Sequence, residues 1–545
     1  MPQRRVAVLG LDAAEWRLIE LMLGRGEMPH LARIRARGVA GPLVQPAPLT
    51  ERPWDTFLTG REAPLEATGF DPSTYEPFIR GPVVRAPFYA GLPGRSLILD
   101  VPYMSVAPAV EGALVAGWGE HYSGRALTCH PSWLGAEIER RFGEHPARAI
   151  QASRRWHDPA YLRRLTTALV EGALRRVDIA AWLMAQMPDW SLFVTVWTEA
   201  HSAGEVMWHG IDAHPGASPD ASREAGKQLR CVYRALDAAV GRLAARLPPE
   251  THLVVCSVHG TRRNDGDVPS SVLLPELLCR LYAGRRLLRG PNPAVWRLHR
   301  CPVIGLPPSR SWADAVRDAY PAATSRDWLA RRAPGSLRKL ISTGQRLAAP
   351  LLRPRRAGAD NATGLIENRL RRRLANRLPP SRYRPFWPCM EAFALPTYSL
   401  GRVRINLRGR ERNGVVSPQR YTATCDEIET TFRACRNPRT GQPIVLDVAR
   451  VRAPAPLDPD GPSADLVVTW TDCADALEHP VAGVVGPFPY GRTGAHAPGG
   501  FLLAAGPGIA VSSSGARPAA ILTPTILELL GQVAGRGSDQ STSVI

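Results

Sequence analysis

Three apolar runs in this sequence lead directly into residues that can do chemistry. VAVLGL (6–11) ends at Asp12, WSLFVTVW (190–197) runs into Thr198, Glu199, His201 and Glu205, and THLVVCS (251–257) stops just short of His259. Short, continuous, β-branched runs of this kind read as strands buried on both faces, as found in parallel sheets covered by helices. Amphipathic stretches separate them: Ala14–Gly24, Met28–Arg37, Pro159–Met187 and Ser222–Arg246. RSLILDV (95–101) reads as a further strand, and a last helix is expected over Thr523–Leu530. The alternation predicts an α/β fold with a largely parallel central sheet and helices on both faces.

In an open parallel sheet, ligands bind outside the carboxyl ends of the strands. Asp12, His201, Glu205 and His259 stand at such ends, and His496 precedes the late run FLLAAGPGI (501–509). Two carboxylates and three imidazoles form a ligand set that suits zinc. His201 and Glu205 are four residues apart, so on a helix they would share a face.

The chain has 545 residues, enough for one large domain with insertions. Its nine cysteines form no CxxC pair, which argues against both a zinc knuckle and a disulfide framework. Nothing in the sequence reads as a transmembrane helix or a signal peptide, so a cytoplasmic location is expected. The formal charge of +19 is concentrated: residues 281–384 hold 23 Lys+Arg against 5 Asp+Glu. The expected organisation is one core formed by 1–280 and 391–535, an arginine-rich insertion or cap at 281–390, and a flexible tail at 536–545. The insertion offers a surface for nucleic acid or an anionic membrane, although a small substrate is favoured.

A second element is PLTERPWDTFLTGREAP (48–64), where Thr50 stands just ahead of an expected helix. Together with GLDAAEW and MPHLARIRARGVAG, it resembles the opening of the type I phosphodiesterase/nucleotide pyrophosphatase branch of the alkaline phosphatase superfamily. Thr50, Trp54 and the Thr59-Gly60 pair keep that family's spacing for a nucleophilic threonine, and Asp12 falls on its first metal-ligand position. TEAHSAGEVMWH (198–209), CSVHG (256–260) and RTGAHAPGGFLLAAGPGI (492–509) resemble its later metal segments. The ligand residues differ, however. His201 stands where the family has Asp, Glu205 where it has His, and Val258 where it has Asp.

The resemblance implies a metal-dependent hydrolase of phosphate esters, most naturally a phosphodiester or nucleotide pyrophosphate, acting through a covalent Thr50 intermediate. It implies one or two zinc ions, with manganese as an alternative. One would be held by His201, Glu205 and His496, the other by Asp12 and His259 beside Thr50. Arg404 and Arg410, in GRVRINLRGRE, are candidate substrate-binding residues. The altered ligands leave two other readings open: a non-catalytic protein that binds an anionic ligand, and a transferase that passes the phospho or sulfo group to an alcohol.

Overall fold

The protein is described here by a computed structural model covering residues 4–63, 65–81, 86–104, 110–121, 126–290, 311–321, 372, 374–452 and 455–532. Much of the expected arginine-rich insertion lies outside the described residues, as does the expected tail at 536–545. Among the described residues, no helix is long and apolar enough to cross a membrane.

The chain forms two compact units. The first comprises Met1–Leu65, Gly81–Asn264 and Gly491–Ile545; the second comprises Glu66–Arg80 and Asp265–Tyr490. These divisions differ from the expected boundaries at 280 and 391. Residues 391–490 carry strands, as anticipated, but those strands build a separate antiparallel sheet and do not extend the parallel one.

In the first unit, the strand His252–Ser257 is followed across the sheet by Val6–Leu11, Trp190–Trp197, Arg95–Leu99 and Gly112–Ala116, all mutually parallel. Antiparallel strands flank this set, Gly499–Ala505 on one side and Thr128–His130 on the other. The expected α/β architecture is therefore present. Alternate residues of Val6–Leu11 enter different cores: Val6 and Val8 on one face, Ala7, Leu9 and Leu11 on the other. Two long helices, Pro159–Gln186 and Pro219–Ala244, pack against each other over one face; Asp158 and Ser218 cap them by accepting from backbone N–H groups of the first turn.

The register sets up the site. Leu11 pairs with Trp197 and Gly10 with Cys256, so three adjacent strands finish at nearly the same level. Asp12, the helix Glu199–Met207 and His259 leave the sheet side by side. A two-stranded ribbon, Gly260–Arg263 with Gly494–Ala497, places His496 opposite Thr261. Gly494 lets this ribbon lie against the helix, since a Cβ there would sit 2.2 Å from the Gly204 carbonyl oxygen.

The second unit holds the four-stranded sheet Ala392–Ala394, Gly401–Ile405, Leu466–Trp470 and Val445–Arg450, with Thr68–Asp71 and Glu76–Ile79 forming a separate hairpin. Its core includes Phe70, Trp387, Phe393 and Trp470.

Gly10 has a specific steric role in the first unit. A Cβ there would lie 2.7 Å from the Trp54 ring and 2.8 Å from Val196, both fully packed. Gly10→Ala is expected to destabilise the protein by about 1–3 kcal/mol through overpacking. The check is a chemical-denaturation midpoint that falls at an unchanged m-value; an unaltered midpoint would refute the packing argument.

Candidate active site

Asp12 is the hub of a buried cluster in the first unit. Its Oδ2 lies 2.8 Å from His201 Nδ1, and its Oδ1 lies 3.1 Å from His259 Nε2 and accepts the Trp54 indole N–H at 2.6 Å. His496 Nε2 faces His201 Nε2 at 3.1 Å. Four of the six residues expected to carry the chemistry, Asp12, His201, His259 and His496, thus converge from distant parts of the sequence.

Burial by itself would raise the Asp12 carboxyl. The charge and hydrogen bond of His201, joined by those of His259, overcome that and hold it well below the usual carboxylate range. His496 is pushed well below the ordinary histidine value by burial and by the neighbouring His259, His201 and Arg492.

Glu205 and His201 share a face of the helix Glu199–Met207, but Glu205 has different company. Arg492 pairs with its Oε1, Arg154 Nη2 lies 3.5 Å from its Oε2, and His121 Nε2 lies 3.4 Å from the same oxygen. Burial opposes its ionisation, yet Arg154, Arg492 and His121 hold the carboxyl well below its ordinary value. His121 stacks on His201 with ring centroids 3.9 Å apart, and burial lowers its pKa to about 4.

Thr50 is buried in the loop before the helix Pro53–Thr59, and its Oγ1 accepts the Arg52 backbone N–H at 3.0 Å. The helix begins three residues later, with Arg52 at its cap position, so Thr50 is not the helix cap. Trp54, one turn further on, ties this segment to Asp12. Arg52 is fixed by Asp55 at 2.6 Å and lies 4.7 Å over the Tyr103 ring, while the Tyr103 hydroxyl donates to the Glu51 carbonyl at 3.4 Å.

Arg404 and Arg410 belong to the second unit, and both are buried against acids. Arg404 Nε donates to Glu411 at 2.6 Å, and Arg410 donates to both Asp465 oxygens at 2.7 Å. Their charge is taken up within that unit. Val258 is fully buried in the apolar cluster that contains Val8 and Val254, and it supplies no donor where the resemblance implies a carboxylate.

The sequence reading missed His121, Arg154 and Arg492. GALVAGWGEH (112–121) carries the same signal as the other strands, an apolar run followed by a titratable side chain, but its run is only five residues long. Asp100 shapes the turn after it by accepting the Trp118 and Gly119 N–H groups at 3.0 and 2.7 Å, and Arg176 anchors Asp100 at 2.8 Å. Arg154 and Arg492 carry no local signal among 68 Lys+Arg.

The cluster brings carboxylate oxygens and imidazole nitrogens close together. Each His259 nitrogen faces an oxygen, Nδ1 the Gly260 carbonyl at 3.2 Å and Nε2 Asp12 Oδ1 at 3.1 Å. The 3.1 Å spacings also approach the roughly 3.3 Å edge of a tetrahedral zinc site. Among the described residues, the one group whose ligand atoms all lie within 4.8 Å of one another, and so could hold a metal ion, is His121, His201 and Glu205.

No family model matches the chain, and no curated protein matches it. Solved structures similar to it include murine ectonucleotide pyrophosphatase/phosphodiesterase 5, an inactive form in complex with AMP, at 10% identity over 98% of this chain and 97% of that one, with a TM-score of 0.43. The human counterpart is 10% identical over the same shares, with a TM-score of 0.41. Phosphonoacetate hydrolase from Sinorhizobium meliloti, in complex with phosphonoacetate, is 11% identical over 98% of this chain and 96% of that one, with a TM-score of 0.42.

The buried histidines imply a pH dependence. His121 titrates near pH 4 in the folded protein against 6.5 when free, and His496 is also lowered. Between those values the unfolded chain binds protons that the folded one refuses. The metal-free protein should therefore lose stability as pH falls from about 6.5 towards 4, with a slope of up to about 1.4 kcal/mol per pH unit for each such histidine. Denaturant midpoints measured across that range, for wild type and His121→Gln, test this: the variant's profile should be flatter, and identical slopes would remove His121 from the account.

Proposed function

We propose that the chain is a metal-dependent hydrolase of phosphate esters in which the Thr50 oxygen attacks phosphorus. The observation that supports it is the convergence of Asp12, His201, His259 and His496 on one buried point, with the Thr50 segment tied to that point through Trp54.

In this reading Asp12, His201, His259 and His496 hold the cation. Zinc, as one or two ions, or manganese in its place, would lower the hydroxyl pKa and neutralise charge on the phosphoryl oxygens. We assign Glu205 to the guanidiniums, because its two oxygens already face Arg492 and Arg154. Asp12 stays ionised at neutral pH and His496 neutral, the protonation states in which each can donate electrons to a cation.

The chemistry has two stages. First, Thr50 Oγ1 forms a bond to phosphorus while the bond to the leaving oxygen breaks, and the Thr50 proton departs with the leaving alcohol of a diester or the leaving phosphate of a pyrophosphate. Water then attacks the same phosphorus and releases phosphate or its monoester, and Thr50 regains its proton. Phosphodiester and nucleotide pyrophosphate substrates are the starting candidates. A cytoplasmic location remains part of the proposal.

Val258, buried in the apolar core, favours a second reading: a protein that holds an anionic ligand at this site without turning it over. Transfer to an alcohol would appear as a new ester when glycerol is added.

Wild type and Thr50→Ala are to be assayed on bis-p-nitrophenyl phosphate and p-nitrophenyl phosphate with zinc or manganese. The variant should lose on the order of 1,000-fold or more in kcat, as expected for removal of a nucleophile. EDTA should abolish wild-type turnover, and Asp12→Asn should retain zinc more weakly than wild type in equilibrium dialysis. Equal inertness of wild type and Thr50→Ala with every metal would leave the non-catalytic reading.

A further inference from the structure

We propose that the Tyr103 hydroxyl contacts the substrate, donating a hydrogen bond to a phosphoryl oxygen beside Thr50. The inference rests on the phosphate-ester reading above and adds a residue to it.

The first support is position. Tyr103 follows the parallel strand Arg95–Leu99 by four residues, at the carboxyl end of the sheet. Asp12, the helix Glu199–Met207 and His259 leave the sheet at that same end. The Tyr103 hydroxyl lies 3.4 Å from the carbonyl oxygen of Glu51, the residue next to Thr50. Arg52, one residue further on, lies over its ring at 4.7 Å. Tyr103 therefore touches the segment that carries the proposed nucleophile.

The second support is the hydroxyl itself. A phenol keeps its proton at neutral pH and can donate it to an acceptor. Burial, and after it the charge of Asp12, pushes the Tyr103 pKa up further. The hydroxyl is thus a donor standing in the field of the carboxylate around which the histidines gather. Its acceptor among the described residues is the Glu51 carbonyl, and 3.4 Å is long for an O–H···O bond, whose usual length is about 2.7–2.8 Å. Exchanging so weak a partner for an anionic oxygen costs little and gains a charge-assisted bond.

The third support is the backbone. Tyr103 has a φ of 65°, in the left-handed region that a bulky side chain rarely occupies. Such strain persists only where the surroundings impose it. Here the Tyr103 N–H donates to Glu120 Oε1 at 3.2 Å and the Met104 N–H to the Val101 carbonyl at 3.2 Å, while Val101 and Met104 are fully buried on either side. The Tyr103 side chain, unlike theirs, is partly exposed. A ring that served only to fill the core would be buried with its neighbours; this one is held at the edge, against the Thr50 segment.

Tyr103→Phe keeps the ring and removes only the hydroxyl. On bis-p-nitrophenyl phosphate with zinc, its kcat should fall on the order of 100-fold, as for loss of one donor to a developing oxyanion, with kcat/KM falling equally. An unchanged kcat overturns the contact, and so does a loss that merely tracks lost zinc. Calorimetry with inorganic phosphate on zinc-loaded Thr50→Ala reads binding apart from turnover. Adding Tyr103→Phe there should weaken binding by about tenfold, and equal affinities overturn the proposal. Wild type inert with every metal, with that tenfold difference standing, would sink the hydrolase reading and leave the phosphoryl contact. Should Tyr103→Phe fail to fold, 3-fluorotyrosine installed at position 103 decides: its fluorine resonance should shift on addition of inorganic phosphate, and an unmoved resonance overturns the contact.

Discussion

The Asp12 carboxylate is the contact on which the site depends. It is buried, and an isolated carboxylate there would pay a heavy desolvation penalty. Three donors meet it instead: His201, His259 and the Trp54 indole. Each comes from a different stretch of chain, so one charge draws together the end of the first strand, the helix after Trp190–Trp197, the turn after His252–Ser257 and the Thr50 segment. Gly10, two residues earlier, leaves the room in which the Trp54 ring sits.

A second layer of polar contacts holds the rim. Asp100, Arg176 and Glu199 are fully buried, and Asp100 spends its oxygens on two backbone N–H groups and a guanidinium. That shapes the turn leading to His121. Glu199 opens the helix carrying His201 and Glu205, and it meets His145 at 3.1 Å. Charges placed this deep are stable only when each meets a partner, so they specify one arrangement of the loops above the sheet.

Glu205 shares a helical face with His201, and its ligand oxygen lies within 4.8 Å of ligand atoms of His201 and His121. Arg492 and Arg154 meet its oxygens as well, contacts that its place in the sequence does not announce. In the second unit Arg404 and Arg410 meet Glu411 and Asp465.

The sequence by itself determined four of the five parallel strands, the long helices and the candidates Asp12, His201, His259 and His496, because apolar periodicity and strand-end position are local properties of the chain. The Thr50 segment was legible through spacing. The tertiary structure alone decided that residues 391–490 pair among themselves as an antiparallel sheet, since strand pairing depends on partners far away in sequence. It alone supplied His121, Arg154 and Arg492, whose contacts with Glu205 span 84, 51 and 287 positions. Electrostatic partnership falls off with distance in space and ignores distance along the chain, so no linear pattern could have assigned Glu205 to two guanidiniums.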